Sequence, residues 1–422
     1  MKKRSKENVL DSDECNEIVQ KKLVQDCMED YSLISYEIIP LDSTTGYMGE
    51  YFTLKAIVGR KTNLSDKKTL QFFAKLPPLT DSPLQNFNLE QGSFKKEIDL
   101  YTKVFPQLLT GEMDFNIPRC ILGLDDNLIV LEDMSTQGYK MTDKFTPFDF
   151  DHCKIMMSTL AKFHAKSLIF EEVHKKNLNN EFSYCLHETL WPTQDGLAKK
   201  TFHAAVKGVI SMIDLIPGLK GLKKSQLKKK FIELSTHHAE NLKPSKHHRN
   251  VICHGDLWAN NILFQYDNQE KPISCCLIDF QLARYNPPAH DVMCFLNFTT
   301  TRELRKNCSL ELYKIYYDQL IQSLKNAKLQ NLGIISWEDF NISLKDLRLT
   351  HLLHGILNLN VMILHPKILG EYFTNPKLLE EALYVDRTPL ICAQFRTIKE
   401  YRERMIEIIF ELHEEIQFTL ND

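Results

Sequence analysis

The stretch HGDLWANNILF, residues 254–264, sets a histidine, an aspartate and two asparagines among apolar residues, and a further aspartate, Asp279, follows in CLIDFQ. Asp256 and Asn261 stand five residues apart, and Asp279 stands eighteen beyond Asn261. Moving a phosphoryl group requires a carboxylate beside the attacking hydroxyl and oxygen ligands that hold Mg²⁺ against a triphosphate. A loop that offers Asp256 and Asn261, facing a strand end that offers Asp279, supplies those groups. Asn261 suits a hard cation because its carbonyl oxygen binds without adding charge, while Asp279 contributes the anionic bond. Asp279 follows the apolar run CCLI, which reads as a buried strand, so its carboxylate needs a metal or a donor to offset its desolvation. A hydrolytic metal centre on His254, Asp256 and Asp279 is the competing chemistry, but no second HxD or HxxxH cluster supplies further ligands.

These groups need elements to hold them. Ile18, Val19, Leu23, Val24 and Cys27 recur at helical spacing and predict an amphipathic helix over residues 14–30. The period then changes. LISYEIIPLD, YFTLKAIVGR and TLQFFAKLPP are short β-branched or aromatic runs separated by STTGYMGE and KTNLSDKK, which predicts a three-stranded antiparallel meander. After a Pro- and Asn-rich loop, SFKKEIDLYTKVFPQL places Phe94, Ile98, Tyr101 and Phe105 on one helical face until Pro106 stops the helix. RCILGLDD and NLIVLEDM predict two more strands around an Asp-Asn turn. From about residue 147 the texture is helical, first with Ile155, Met156, Leu160 and Phe163 on a shared face. Residues 250–285 interrupt it with three short strands, VICHGD, NILFQYD and SCCLIDF. Cys275 and Cys276 on the last of these point to opposite faces and read as small core residues. Amphipathic helices follow residue 310, the last carrying Met405, Ile408, Ile409, Leu412 and Ile416 at helical spacing.

HGDLWANNILF followed by LIDFQLAR resembles the catalytic loop and metal-binding motif of the kinase-like phosphotransferases that include choline kinases and aminoglycoside phosphotransferases. FHAKS, VLEDM, CHGDLWANNILF and IDFQLARYNPPAHDV together resemble more closely the ecdysteroid-kinase-like family of animals, often labelled CHK kinase-like. The motifs run in the family's order from about residue 40 to residue 300. Protein kinases read HRD and DFG where this chain reads His254-Gly255-Asp256 and Asp279-Phe280-Gln281, a departure that points to small-molecule acceptors. The resemblance implies an α+β, two-lobed, protein-kinase-like fold: a helical extension over residues 1–34, a β-rich N-lobe over 35–131, a linker over 132–136 and a mostly helical C-lobe over 137–422. It implies a kinase that binds ATP and Mg²⁺ in the cleft and phosphorylates a small hydroxylated, lipophilic molecule, with ecdysteroids, other steroids and foreign compounds all permitted. A catalytically silent, kinase-like binder of a lipophilic ligand is the alternative. The complete set of Lys75, Glu97, Asp256, Asn261 and Asp279 stands against it.

Residue by residue, the resemblance makes Asp256 the catalytic base, gives Mg²⁺ to Asn261 and Asp279, has His254 brace the loop, and has Asp291 steady it. Lys75 ends the strand LQFFAK and Glu97 lies on the first turns of FKKEIDLY, the strand lysine and helix glutamate that kinases use to grip the α and β phosphates. Taken singly, each reads as a solvated surface charge. The main chain from Glu132 to Met134 sits where the family's linker meets the adenine edge. TTGYMGEY supplies Gly46 and Gly49 for a phosphate-covering loop, although it is no GxGxxG and a plain hairpin turn accounts for it equally. His164 reads as structural. The acceptor pocket is expected among the C-lobe helices, with Tyr184, Trp191 and Tyr285 as candidates.

Composition sets the outer bounds. At 422 residues, with 43% hydrophobic and 25% charged residues, the chain suits an ordinary globular protein of two lobes. A formal net charge of -3 provides no positive field for a nucleic-acid backbone. MKKRSKENVLDSDECNEIV lacks the apolar stretch of a secretory signal, and HLLHGILNLNVMILHPKIL is too polar for a membrane span and reads as a buried helix. The 11 cysteines include no CxxC pair, which fits a reducing cytoplasm. The basic runs KGLKKSQLKKK and KPSKHHRN read as solvated faces or an anion site, and no pattern marks the oligomeric state.

Overall fold

The computed structural model describes residue 4 and residues 8–41, 49–78, 83–110, 115–124, 127–191, 194–329 and 333–419. Gly46 lies outside them. Strands β1 (Tyr31–Pro40), β2 (Glu50–Arg60), β3 (Asn63–Leu76), β4 (Cys120–Leu124) and β5 (Leu128–Glu132) form one antiparallel sheet in the order β1-β2-β3-β5-β4. Alternation decides what each face does. Phe72, Ala74 and Leu76 of β3 turn toward helix α1 (Ser12–Gln25) and pack with its Cys15, Ile18, Val19 and Leu23. Phe73 and Lys75, between them, therefore face the opposite way, into the cleft. Asp11 and Glu14 close a reciprocal cap at the start of α1. The expected helical face runs too far: Val24 is 58% exposed, and Cys27 lies past the helix end in a left-handed conformation. Strand β3 starts earlier than its hydrophobic run, because the turn from β2 is confined to Lys61 and Thr62.

Two further departures concern proline. The expected Pro- and Asn-rich loop contains helix α2 (Pro83–Gln91), with proline at the first position, where its missing N–H costs nothing. Pro106 does not stop the next helix. Helix α3 (Ser93–Asp99) widens into a π turn over Leu100–Val104, where Phe105 N donates to Leu100 O, and then makes one more turn over Phe105–Leu108. The wider turn removes the need for the hydrogen bond that the proline cannot donate.

The remainder is mostly helical. Strands β6 (Lys140–Met141), β8 (Ile262–Tyr266) and β9 (Pro272–Leu277) form one small sheet, while β7 (Val251–Cys253) pairs with β10 (Arg284–Asn286). Helix Phe150–His174 underlies them and packs against helix Arg302–Asn326. Cys275 and Cys276 are both buried, in different clusters, as their opposite faces require. Helix Ala289–Thr299 is buried along its whole length and lies on helix Trp337–Met362. Met405, Ile408, Ile409, Leu412 and Ile416 of the last helix, Lys399–Thr419, join that core. Among the described residues no single helix is long and apolar enough to cross a membrane; one pair, Trp337–Met362 and Pro366–Thr374, bent by 73°, meets the length and composition criteria together. The molecule is thus α+β in two lobes, a small antiparallel sheet with its helices and a larger helical body.

Candidate active site

The loop after β7 is built around one buried carboxylate. Asp291, on the first turn of helix Ala289–Thr299, accepts hydrogen bonds from His254 N at 2.6 Å and Gly255 N at 2.9 Å. His164 Nε2 lies 3.1 Å from the same carboxylate, and its Nδ1 lies 2.7 Å from Tyr316 Oη. Burial works to raise the Asp291 carboxyl, but the hydrogen bond and charge of His164 outweigh it and hold the group below its ordinary value. His254 Nε2 donates to Ile278 O at 2.9 Å, which leaves Nδ1 to accept from Asp256 N at 3.3 Å. Burial keeps this imidazole neutral by pushing its pKa down. Gly255 takes φ +81, and a Cβ there would stand 2.3 Å from Leu282 O. Replacing it, as in Gly255→Ala, is expected to cost more than about 2 kcal/mol in denaturant unfolding. An unchanged midpoint would show that the loop yields.

Asp256 emerges from this turn 8% exposed, and Asn261 Nδ2 donates to both Asp256 Oδ2 and the Asp256 backbone oxygen, each at 2.9 Å. Burial, and then the charge of Asp279, push its pKa up to about 7. Asp279 follows β9 and Ile278 with φ 66, a conformation uncommon outside glycine, which a functional position can justify. Lys75 Nζ reaches both Asp279 Oδ1, at 3.0 Å, and Glu97 Oε2, at 2.6 Å. Burial pulls the Lys75 pKa down, but Asp279 and Glu97 prevail and the ammonium is held above its usual value. Burial pushes the Glu97 carboxyl up, against the opposing pull of Lys75. Its other oxygen accepts Phe280 N at 3.2 Å, so α3 grips the segment that carries Asp279. Phe280 packs edge-on to Tyr101 and Phe105 on the π turn and its continuation, and lies 4.6 Å from the His254 ring. The structure therefore brings Lys75, Glu97, His254, Asp256, Asn261 and Asp279 into one place.

At the linker, Glu132 spends its side chain outward, on Lys22 Nζ at 2.9 Å and Arg119 N at 3.3 Å. Met134 is buried beside Tyr139 and Cys276, with Leu263 and Ile278 against them. Gly49 precedes β2, and a Cβ there would stand 2.9 Å from Leu76 O, so glycine lets β2 and β3 close together. A cavity of about 580 Å³ joins these parts, lined by Tyr51, Lys75, Met134, Asp256, Asn261 and Asp279. It continues between C-terminal helices along Leu357, Val361, Leu364, Leu369, Leu379 and Leu383. Of the three expected acceptor aromatics only Trp191 lines it. Tyr184 is 48% exposed, and Tyr285 lines a second cavity and bonds Glu171 through its hydroxyl at 2.7 Å. Side-chain direction in tertiary packing, invisible in the sequence, separates them.

Sequence reasoning missed Arg284, whose buried guanidinium pairs with Glu188 and donates to Leu282 O at 3.2 Å. LIDFQLAR contains it, but its partner lies 96 residues earlier and nothing local announces the pair.

A family model now matches this chain over residues 43–329, a span that holds all six of these side chains. The chain belongs to the ecdysteroid kinase-like family. Members of this family are kinase-like proteins of small molecules. Among solved structures, the GDP and kanamycin complex of APH(2″) is 13% identical, with a TM-score of 0.40 and coverage of 95% of this chain and 99% of that one. A microcompartment-associated aminopropanol kinase is 11% identical, with a TM-score of 0.40 and coverage of 92% and 99%. The GDP complex of a wild-type aminoglycoside 2'-phosphotransferase is 12% identical, with a TM-score of 0.37 and coverage of 95% and 99%. No curated protein matches the sequence.

Proposed function

We propose that this member of the ecdysteroid kinase-like family transfers the γ-phosphoryl group of ATP to a hydroxyl of a small lipophilic alcohol, with ecdysteroids, other steroids and hydroxylated foreign compounds as the candidates. One observation carries the reading: the charged cluster and a long apolar extension share a single cavity. Such a cavity holds a nucleotide's phosphates at one end and an apolar acceptor at the other. Asp256 orients the acceptor hydroxyl and takes its proton late, because the transition state of phosphoryl transfer is loose. Lys75, held by Glu97, pairs with the phosphates. Asn261 spends its amide nitrogen on Asp256, which leaves its carbonyl oxygen as the remaining ligand atom, and Asp279 adds a carboxylate. This hard-oxygen set fits Mg²⁺, and the two residues would hold it; bound there, the ion neutralises charge on the phosphates. The site works chiefly through alignment and electrostatics.

ATP with Mg²⁺ is expected to raise the melting temperature of the wild type, since a ligand held only by the folded state stabilises it by about 2.7 kcal/mol at a hundred times its Kd. Asp279→Ala is expected to abolish that rise. A variant that keeps it removes Asp279 from the site. Mass detection of a phosphorylated product across a panel of hydroxysteroids and hydroxylated xenobiotics tests the reaction itself. ATP bound but never consumed would instead make the protein a silent binder.

A further inference from the structure

At the apolar end of the cavity lies a buried cation. Arg387, directly ahead of helix Thr388–Thr397, lines the cavity and is only 3% exposed. Among the described residues it has no carboxylate partner. Its guanidinium donates to Ala382 O at 3.3 Å, to Asn360 Oδ1 at 3.3 Å and to Thr201 O at 3.5 Å, three long bonds to neutral acceptors. A guanidinium carries five N–H groups, so two remain. Burial lowers its pKa to about 10, which still leaves it charged at neutral pH. A buried, unpaired charge is costly, and proteins rarely keep one without a partner.

The lining of the cavity holds further unpartnered groups. Gln91 Nε2, Trp191 Nε1 and Thr201 Oγ1 are buried side-chain atoms without a hydrogen-bond partner, and all three residues line the same cavity. Two of these atoms can only donate, and the hydroxyl can donate. With Arg387 they make a mostly donor set in the lining of one cavity, against a single unpartnered acceptor there, Gln281 Oε1. What such a set lacks is an oxygen-rich, negatively charged group.

We infer that the acceptor carries, besides the hydroxyl that is phosphorylated, an oxyanion such as a carboxylate or sulfate that pairs with Arg387. The inference rests on reading this cavity as the acceptor site, and it narrows the substrate class from lipophilic alcohols to amphiphilic, anionic ones. Arg387 is then a specificity-determining residue, since its planar fork matches a carboxylate or sulfate in two-point contact.

Binding measured without ATP tests this apart from any reaction. Cholate and its methyl ester, each below its micellar concentration, are titrated against the full chain by calorimetry. The wild type is expected to bind cholate at least about tenfold more tightly than the ester, the range of a hydrogen-bonded charge. Arg387→Met is expected to bind the two within about twofold, with its affinity for the ester and its melting rise with MgATP unchanged. Arg387→Lys keeps a cation without the fork and is expected to retain a preference of about threefold, which carries the test should the methionine variant fail to fold. Equal binding by the wild type, no binding of either compound, or a tenfold preference that survives in Arg387→Met would overturn the inference. Failure to phosphorylate any alcohol would sink the kinase reading and leave this preference standing.

Discussion

Asp256→Asn is expected to bind MgATP as the wild type does and to turn over about a thousand-fold more slowly. The substitution keeps the shape of the side chain, and a carbonyl oxygen can still accept the bond that Asn261 donates. What it removes is the carboxylate proposed to take the proton. Because burial and the charge of Asp279 raise the Asp256 pKa to about 7, the proposed base is partly protonated near neutrality when nucleotide and metal are absent. The wild-type kcat/KM is therefore expected to climb with pH and level off above about 7, and the variant should lose that limb. The same residue is a stability cost. A carboxyl whose folded pKa is raised favours the folded state at low pH and loses that contribution as pH rises through the folded value. At pH 8 the ionised group is buried beside Asp279, so Asp256→Asn should melt higher than the wild type. Steady-state rates, a MgATP titration and a melting curve on one preparation check all three. Wild-type turnover in the variant would remove Asp256 from the role of base.

The candidate site was legible wherever it is written within a few residues. Asp256 and Asn261 share one loop, and the apolar run before Asp279 places that carboxylate at a strand end, so residue type and spacing suffice. Lys75 and Glu97 lie 22 residues apart, but strand end and first helical turn are themselves local patterns, and their 2.6 Å pair follows once both elements form. Proline was misread twice for one reason. A rule that treats it as a breaker presumes an α-helical interior, whereas Pro83 sits at a helix start and Pro106 follows a π turn. The apolar end of the cavity was not legible at all. Arg387 stands in YVDRTPL like any surface charge, and only the packing of several helices around it makes it a buried cation. Tyr184 and Tyr285 do not line this cavity; a sequence gives their element but not the direction of the ring.

Acidification is expected to unfold the protein steeply, because four buried histidines in the C-lobe are held neutral. His351 Nδ1 faces the carbonyl of Leu347 at 2.9 Å and must carry a proton, so its Nε2 can only accept. His290 Nδ1, 2.8 Å away, must then donate, and its own Nε2 is left bare toward Cys294 Sγ. His238 Nε2 and His354 Nδ1 pair at 3.2 Å, again one donor to one acceptor. Burial lowers the pKa of His238 to about 3 and of His351 to about 4, and it pushes His290 and His354 well below their ordinary value. The unfolded chain protonates all four near pH 6.5, and the folded chain does not. The unfolded state thus binds more protons, and stability present above pH 6.5 is lost as pH falls toward the folded values, by roughly 1 kcal/mol per pH unit for each histidine. Asp256 and Glu97 work in the other direction, since their raised pKa values favour the folded state on acidification, but they are two groups against these four histidines and the buried His254. Urea unfolding at pH 7, 6 and 5 should show a falling midpoint, and His238→Gln should reduce the pH slope by about one proton. A midpoint that stays level from pH 7 to pH 5 would mean that these rings already share a charge in the folded protein.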